Sequence, residues 1–93
     1  MVDRKVNEIL KSIKVKEWYC VTYPDDNLGC EISSRISFLT IYNAIKSGRD
    51  IYEVMGVGDS IIRERIFDKL SIILKVDYSV LFYMWLDKSK SNK

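Results

Sequence analysis

The sequence predicts a mainly α fold, a compact single domain of four or five short helices with a β-hairpin or extended segment near residues 15–36. Three observations predict it. Apolar residues recur at helical spacing through most of the chain, with capping residues ahead of the runs and glycines behind several of them. Residues 15–23 and 30–38 are instead rich in β-branched and aromatic side chains, and a strong turn signal from Pro24 to Gly29 separates them. Finally, 93 residues that are 47% hydrophobic and 30% charged suffice for one core and leave no room for a second.

Taken in order, Asp3 caps a first helix whose stripe is Val6, Ile9, Leu10 and Ile13, at i, i+3, i+4 and i+7. Lys11, Lys14 and Lys16 suit the negative end of its dipole. Val15 to Tyr23 then reads in two ways. It is either the first strand of a hairpin completed by Cys30 to Phe38, or a second helix ending at Tyr23 before a short extended piece near Cys30. From Ser37 the spacing of Phe38, Ile41, Tyr42 and Ile45 is helical, and Gly48 stands where a left-handed C-terminal residue is wanted. Asp50 with Glu53 forms a capping box for a short helix through Met55, stopped at Gly56. Asp59 caps a long helix from Ser60 to Leu74, and Asp77 a last one through Leu86. The globular domain is therefore placed at residues 1–86, and 87–93 form a flexible lysine-rich tail.

Composition narrows the function. Histidine is absent, which removes nucleophilic mechanisms with a histidine base and every His-ligated metal site. Cys20 and Cys30 are too few for a four-cysteine zinc site. With no Gly-rich phosphate loop and no metal-ligand spacing, the expectation is a chain that is not an enzyme and takes no cofactor. No apolar run approaches the roughly 18 residues of a membrane span, and no export signal opens the chain. A cytoplasmic protein with reduced thiols follows as the expectation, with no membrane partner. Net charge is +2, and the segment from Asp87 to Lys93 carries all of it, so residues 1–86 are neutral. A chain that lives on phosphate contacts carries a basic excess over its folded part.

The last two helices hold more apolar surface than one core needs. On the long helix Ile62, Ile66, Phe67, Leu70, Ile73 and Leu74 form a broad core face at about 100° per residue, and Arg63 falls inside that sector. Glu64, Asp68 and Ser71 make the exposed stripe, while Ile61 and Ile72 stand on the far side beside Arg65 and Lys69. On the last helix Tyr78, Leu81, Phe82 and Trp85 face the core, leaving Val80, Tyr83 and Met84 opposite. These five leftover side chains form a second packing surface, of the composition that protein interfaces enrich. The Asp25–Asp26 turn, with Glu31, forms an acidic prong suited to a basic protein surface.

Residues Asp50 to Lys69 resemble a helix-turn-helix of the phage-regulator and bacterial-repressor kind. Ile51 and Met55 fill the first helix, Gly56 and Val57 the turn, and Ile62 anchors the second helix. The resemblance implies that Ser60, Arg63 and Glu64 face base edges of duplex DNA. Tyr52 stands where that pattern has a small residue, and Arg65 where it has an apolar one. Across the whole chain, the turn at Asp25–Cys30, the Gly48–Val54 stretch and the turn at Gly56–Ser60 resemble short proteins of phages and mobile elements in low-GC bacteria. Codon-linked bias agrees, with twelve isoleucines and ten lysines beside one alanine, Ala44, and one proline, Pro24. The resemblance implies a small inhibitor of a host protein, anti-CRISPR proteins among them. The leading expectation is thus a non-enzymatic protein-binding module acting on a host or phage protein, either as a homodimer or as a monomer whose apolar patch is the partner site. The alternative is a helix-turn-helix transcriptional regulator, and a third class is a phage structural or assembly protein.

Overall fold

The first two helices are set by one short extended contact. In the computed structural model, which describes residues 2–91, Lys14 and Ser37 form an isolated antiparallel bridge. Val15 N–H donates to the Ile36 carbonyl at 3.2 Å and Phe38 N–H to the Ile13 carbonyl at 3.0 Å. This clasp joins the junction of α1 (Val2–Ser12) and α2 (Val15–Thr22) to the start of α3 (Phe38–Ser47). Asp3 lies inside the first turn of α1 rather than ahead of it. Leu10 is fully buried, whereas Ile9, at the edge of the expected stripe, is largely exposed.

The hairpin expected between residues 15 and 36 is not formed; the helix ending near Tyr23 is. Val15 and Tyr19, four apart, are both fully buried, with Trp18 packed beside them against Phe38, so the burial period is helical. Val21, which an alternating strand would place on the face of Tyr19, points to solvent. After the Pro24 turn a 3₁₀ helix, Asn27–Glu31, is capped by Asp26, whose carboxylate accepts from Leu28 N–H at 3.0 Å. Gly29 allows the Tyr19 ring to lie directly on the backbone, where a Cβ would overlap it.

The remaining helices follow their punctuation. α3 ends at Gly48 with φ 72°, and α4 (Ile51–Met55) starts on Asp50, which accepts from Tyr52 N–H at 3.0 Å. α5 (Ser60–Leu74) starts on Asp59, which accepts from Ile61 N–H at 2.8 Å, and ends on Lys75 in the left-handed region. α6 (Tyr78–Ser91) runs past Leu86, because Gly48 is seated on the backbone of Lys88 and Ser89. Trp85 adds a hydrogen bond from its indole N–H to the Arg49 carbonyl at 2.8 Å. Residues 87–91 are therefore part of the last helix rather than a tail, and 92–93 lie outside the described residues.

Among the described residues there are six α-helices, one 3₁₀ helix and no strand. α3 is the hub, packing against α1, α4 and α6, while α5 packs on α6 and α2 on the 3₁₀ helix. Phe38, Ile41 and Ile45 of the hub are fully buried together with Ile51, Ile62, Ile66, Phe67 and Leu70. The radius of gyration, 12.6 Å, matches the roughly 12 Å of one domain of this length.

Candidate functional site

Arg63 belongs to the interior. The side chain falls in the apolar sector of α5, and the residue is only 7% exposed. Its guanidinium carbon stands 4.9 Å from the Phe82 ring centroid, 5.4 Å from Phe67 and 5.7 Å from Trp85. Nη1 donates to Tyr78 Oη at 2.9 Å, and Nε is buried without a hydrogen-bond partner. Cation–π attraction operates within about 6 Å of a ring, so Arg63 is a strut between α5 and α6. This corrects its assignment to base edges: Ser60 and Glu64 are exposed, but the cation between them is turned inward. α4 packs chiefly on α3, and the exposed stripe of α5, Glu64 and Asp68, is acidic and repels phosphate.

A second polar cluster explains Arg65, the residue that broke the helix-turn-helix pattern. Its Nη1 donates to Asp26 Oδ2 at 2.9 Å and to Tyr19 Oη at 2.8 Å, and its guanidinium lies 4.2 Å from the Tyr23 ring centroid. Tyr19 Oη in turn donates to Asp26 Oδ2. The Tyr19 hydrogen bond, with help from Leu28 N–H and Arg65, holds the Asp26 carboxyl below the usual carboxylate range. Burial, and then the bond to Asp26, pushes the Tyr19 phenol up to about 12. Asp26 is thus paired with Arg65 and Tyr19 in a half-buried cluster that joins α2, the 3₁₀ helix and α5. Asp25 and Glu31 remain exposed.

The apolar side chains assigned to a partner face divide. Val80, 47% exposed, and Met84 line a groove of about 500 Å³ that α6 shares with three other parts of the fold. α1 contributes Val6 and Asn7, α3 contributes Tyr42 and Lys46, and the α5–α6 turn contributes Leu74 and Val76, with Leu81 at the floor. The Lys46 ammonium lies over the Tyr42 ring, 4.5 Å from its centroid. Ile61, Ile72 and Tyr83 are exposed but are not walls of this groove. Tyr42, read from the sequence as part of the apolar stripe of α3, is half-buried at the groove edge. Lys46 and Val76 were missed; the usable signal for Lys46 was its place one helical turn after Tyr42.

Comparison with protein-family models, curated proteins and solved structures finds no match to this chain. The site is thus defined by its own geometry. Among the described residues no three His, Cys, Asp or Glu side chains are grouped to hold a metal ion, and no helix is long and apolar enough to cross a membrane. Cys20 is half-buried and Cys30 exposed, both as thiols. What the arrangement offers chemically is a mainly apolar trough with the Lys46 ammonium on one wall.

Proposed function

We propose that this chain is a non-enzymatic protein-binding module that works by steric occlusion of its partner, in the manner of small inhibitors from phages and mobile elements acting on a host protein. The observation that supports the reading is the groove beside α6. Val80 is half-exposed and Met84 only partly buried, and α1, α3 and the α5–α6 turn converge to give them apolar walls. A fold of this size has few apolar side chains to spare, and apolar surface left uncovered in this way marks interaction sites. The buried Arg63 and the acidic stripe of α5 weigh against the DNA-binding alternative.

The test is a pull-down with tagged chain from a lysate of a low-GC bacterium, run beside a Val80→Glu variant and a random DNA duplex at low salt. One stoichiometric protein retained by the parent chain and lost by the variant is the expected result. Retention of the same protein by the variant overturns the reading. So does duplex binding that weakens steeply with salt.

A further inference from the structure

Resting on the protein-binding reading, we infer that the groove takes an amphipathic helix of the partner whose apolar anchors are followed by carboxylates at one end. The shape argues for a helix. Among the described residues there is no strand, so no sheet edge exists for an extended segment to join. On α6, Val80, Met84 and Lys88 follow one another at i, i+4 and i+8 along one row. That row is about 12 Å long at 1.5 Å per residue, which matches the roughly 10 Å between anchors at i and i+7 of an incoming helix.

The charge argues for acid at one end. Among the described residues Lys46 is the one charged residue in the groove wall, its ammonium over the Tyr42 ring. Lys88 is exposed at the end of the Val80–Met84 row. Gly48, two residues beyond Lys46, is seated on the Lys88 backbone, so the C-terminal ends of α3 and α6 meet there. At the other end Lys75 and Asp77 offset each other. A helix with apolar anchors and a terminal carboxylate pair therefore meets apolar wall along its length, with the Lys46 ammonium in the wall and Lys88 next along the α6 row. A basic helix meets like charge there.

The experiment selects helical peptides from a displayed library on the immobilised full chain, then titrates the selected peptides by fluorescence anisotropy. Selected sequences are expected to show apolar residues at i, i+3 or i+4 and i+7, with Asp or Glu enriched at one end. Met84→Glu should weaken them at least tenfold. The pair Lys46→Glu with Lys88→Glu should weaken them about tenfold, as expected of solvent-exposed charge pairs at a rim. Replacing the peptide carboxylates with lysine should restore binding to that double variant. If Met84→Glu lowers the melting temperature, Val80→Glu takes its place, since that side chain is half exposed. Peptides lacking the acidic end, or indifferent to the double reversal, overturn this inference while loss on Met84→Glu keeps the protein-binding reading. Peptides indifferent to Met84→Glu and Val80→Glu overturn both. A concentration-dependent dimer abolished by the same substitutions makes a second copy the occupant and overturns the inference.

Discussion

Arg63 holds its place through the length of its stem as much as through its charge. Truncation removes the atoms that fill the space between Phe67, Phe82 and Trp85 and strips Tyr78 Oη of its donor. Arg63→Ala is therefore expected to destabilise the fold by about 3–5 kcal/mol, read from the urea midpoint. Arg63→Met keeps the stem and discards an imperfectly satisfied cation, so it should fall within about 1.5 kcal/mol of the parent. Equal losses in the two variants would show that the guanidinium itself is indispensable. The Tyr19–Asp26–Arg65 cluster makes stability depend on pH at both extremes. Asp26 is held below its ordinary value of 3.8, so its contribution is full above that value and is lost as pH falls through the depressed one. Tyr19 is raised from 10.0 to about 12, so its contribution is full below pH 10 and lost as pH climbs towards 12. Ultraviolet titration should show one phenol ionising late. Tyr19→Phe should remove that step and flatten the alkaline fall in melting temperature.

At the scale of elements, α2 and the end of α6 are where local sequence misleads. The run from Val15 to Tyr23 has strand-like composition, yet Val15 and Tyr19 are anchored one helical turn apart, while Trp18 meets Phe38 edge-on at 5.3 Å. Burial on one side overrides a β propensity worth about 1 kcal/mol across its whole scale. Because Val21 is 82% exposed, Val21→Glu should change stability by no more than about 0.5 kcal/mol; a large loss would indicate that the strand is formed after all. The last turns of α6 carry lysines and serines that read as a fraying tail, but their backbone is the seat for Gly48. Gly48→Ala meets both a left-handed φ and the Lys88 backbone, so it should cost more than the roughly 1 kcal/mol of the φ alone. Deleting residues 87–93 should lower the melting temperature by several degrees, since 1 kcal/mol is about 4–8 °C in a domain of this size. An unchanged melt would show that the seat is dispensable.

For the molecule as a whole, two of the five apolar residues that sequence reading gathered into a homodimer face line the groove and three do not. Val80 and Met84 are groove walls, and Ile61, Ile72 and Tyr83 are not. A stable dimer buries about 800 Å² on each copy, and only two of the five residues share the groove. The chain is accordingly expected to be a monomer by light scattering at micromolar concentration. A dimer dissociated by Ile72→Glu would instead restore the wider patch. The buried Arg63 and the half-buried Arg65 cluster also tie the periphery together, Arg63 joining α5 to α6 and Arg65 joining α5 to the α2 corner.

Fold class, the helices from α3 onward and their caps at Asp50, Asp59 and Gly48 were legible in the sequence. They depend on interactions within one turn of the chain, and a short side chain or a missing Cβ announces them. So was the burial of Arg63 in an apolar sector, from helical periodicity alone. The choice between strand and helix at residues 15–22 was not, because it depends on Phe38 and Gly29, brought up from distant positions. Nor was the consumption of Asp26 by Tyr19 and Arg65, a cluster whose members are 7 and 39 residues away from it. The groove belongs wholly to tertiary structure. Periodicity marked Val80 and Met84 as surplus to the core, but only the crossing of α1, α3 and α6 decided that they face Val6, Tyr42 and Lys46 across a trough.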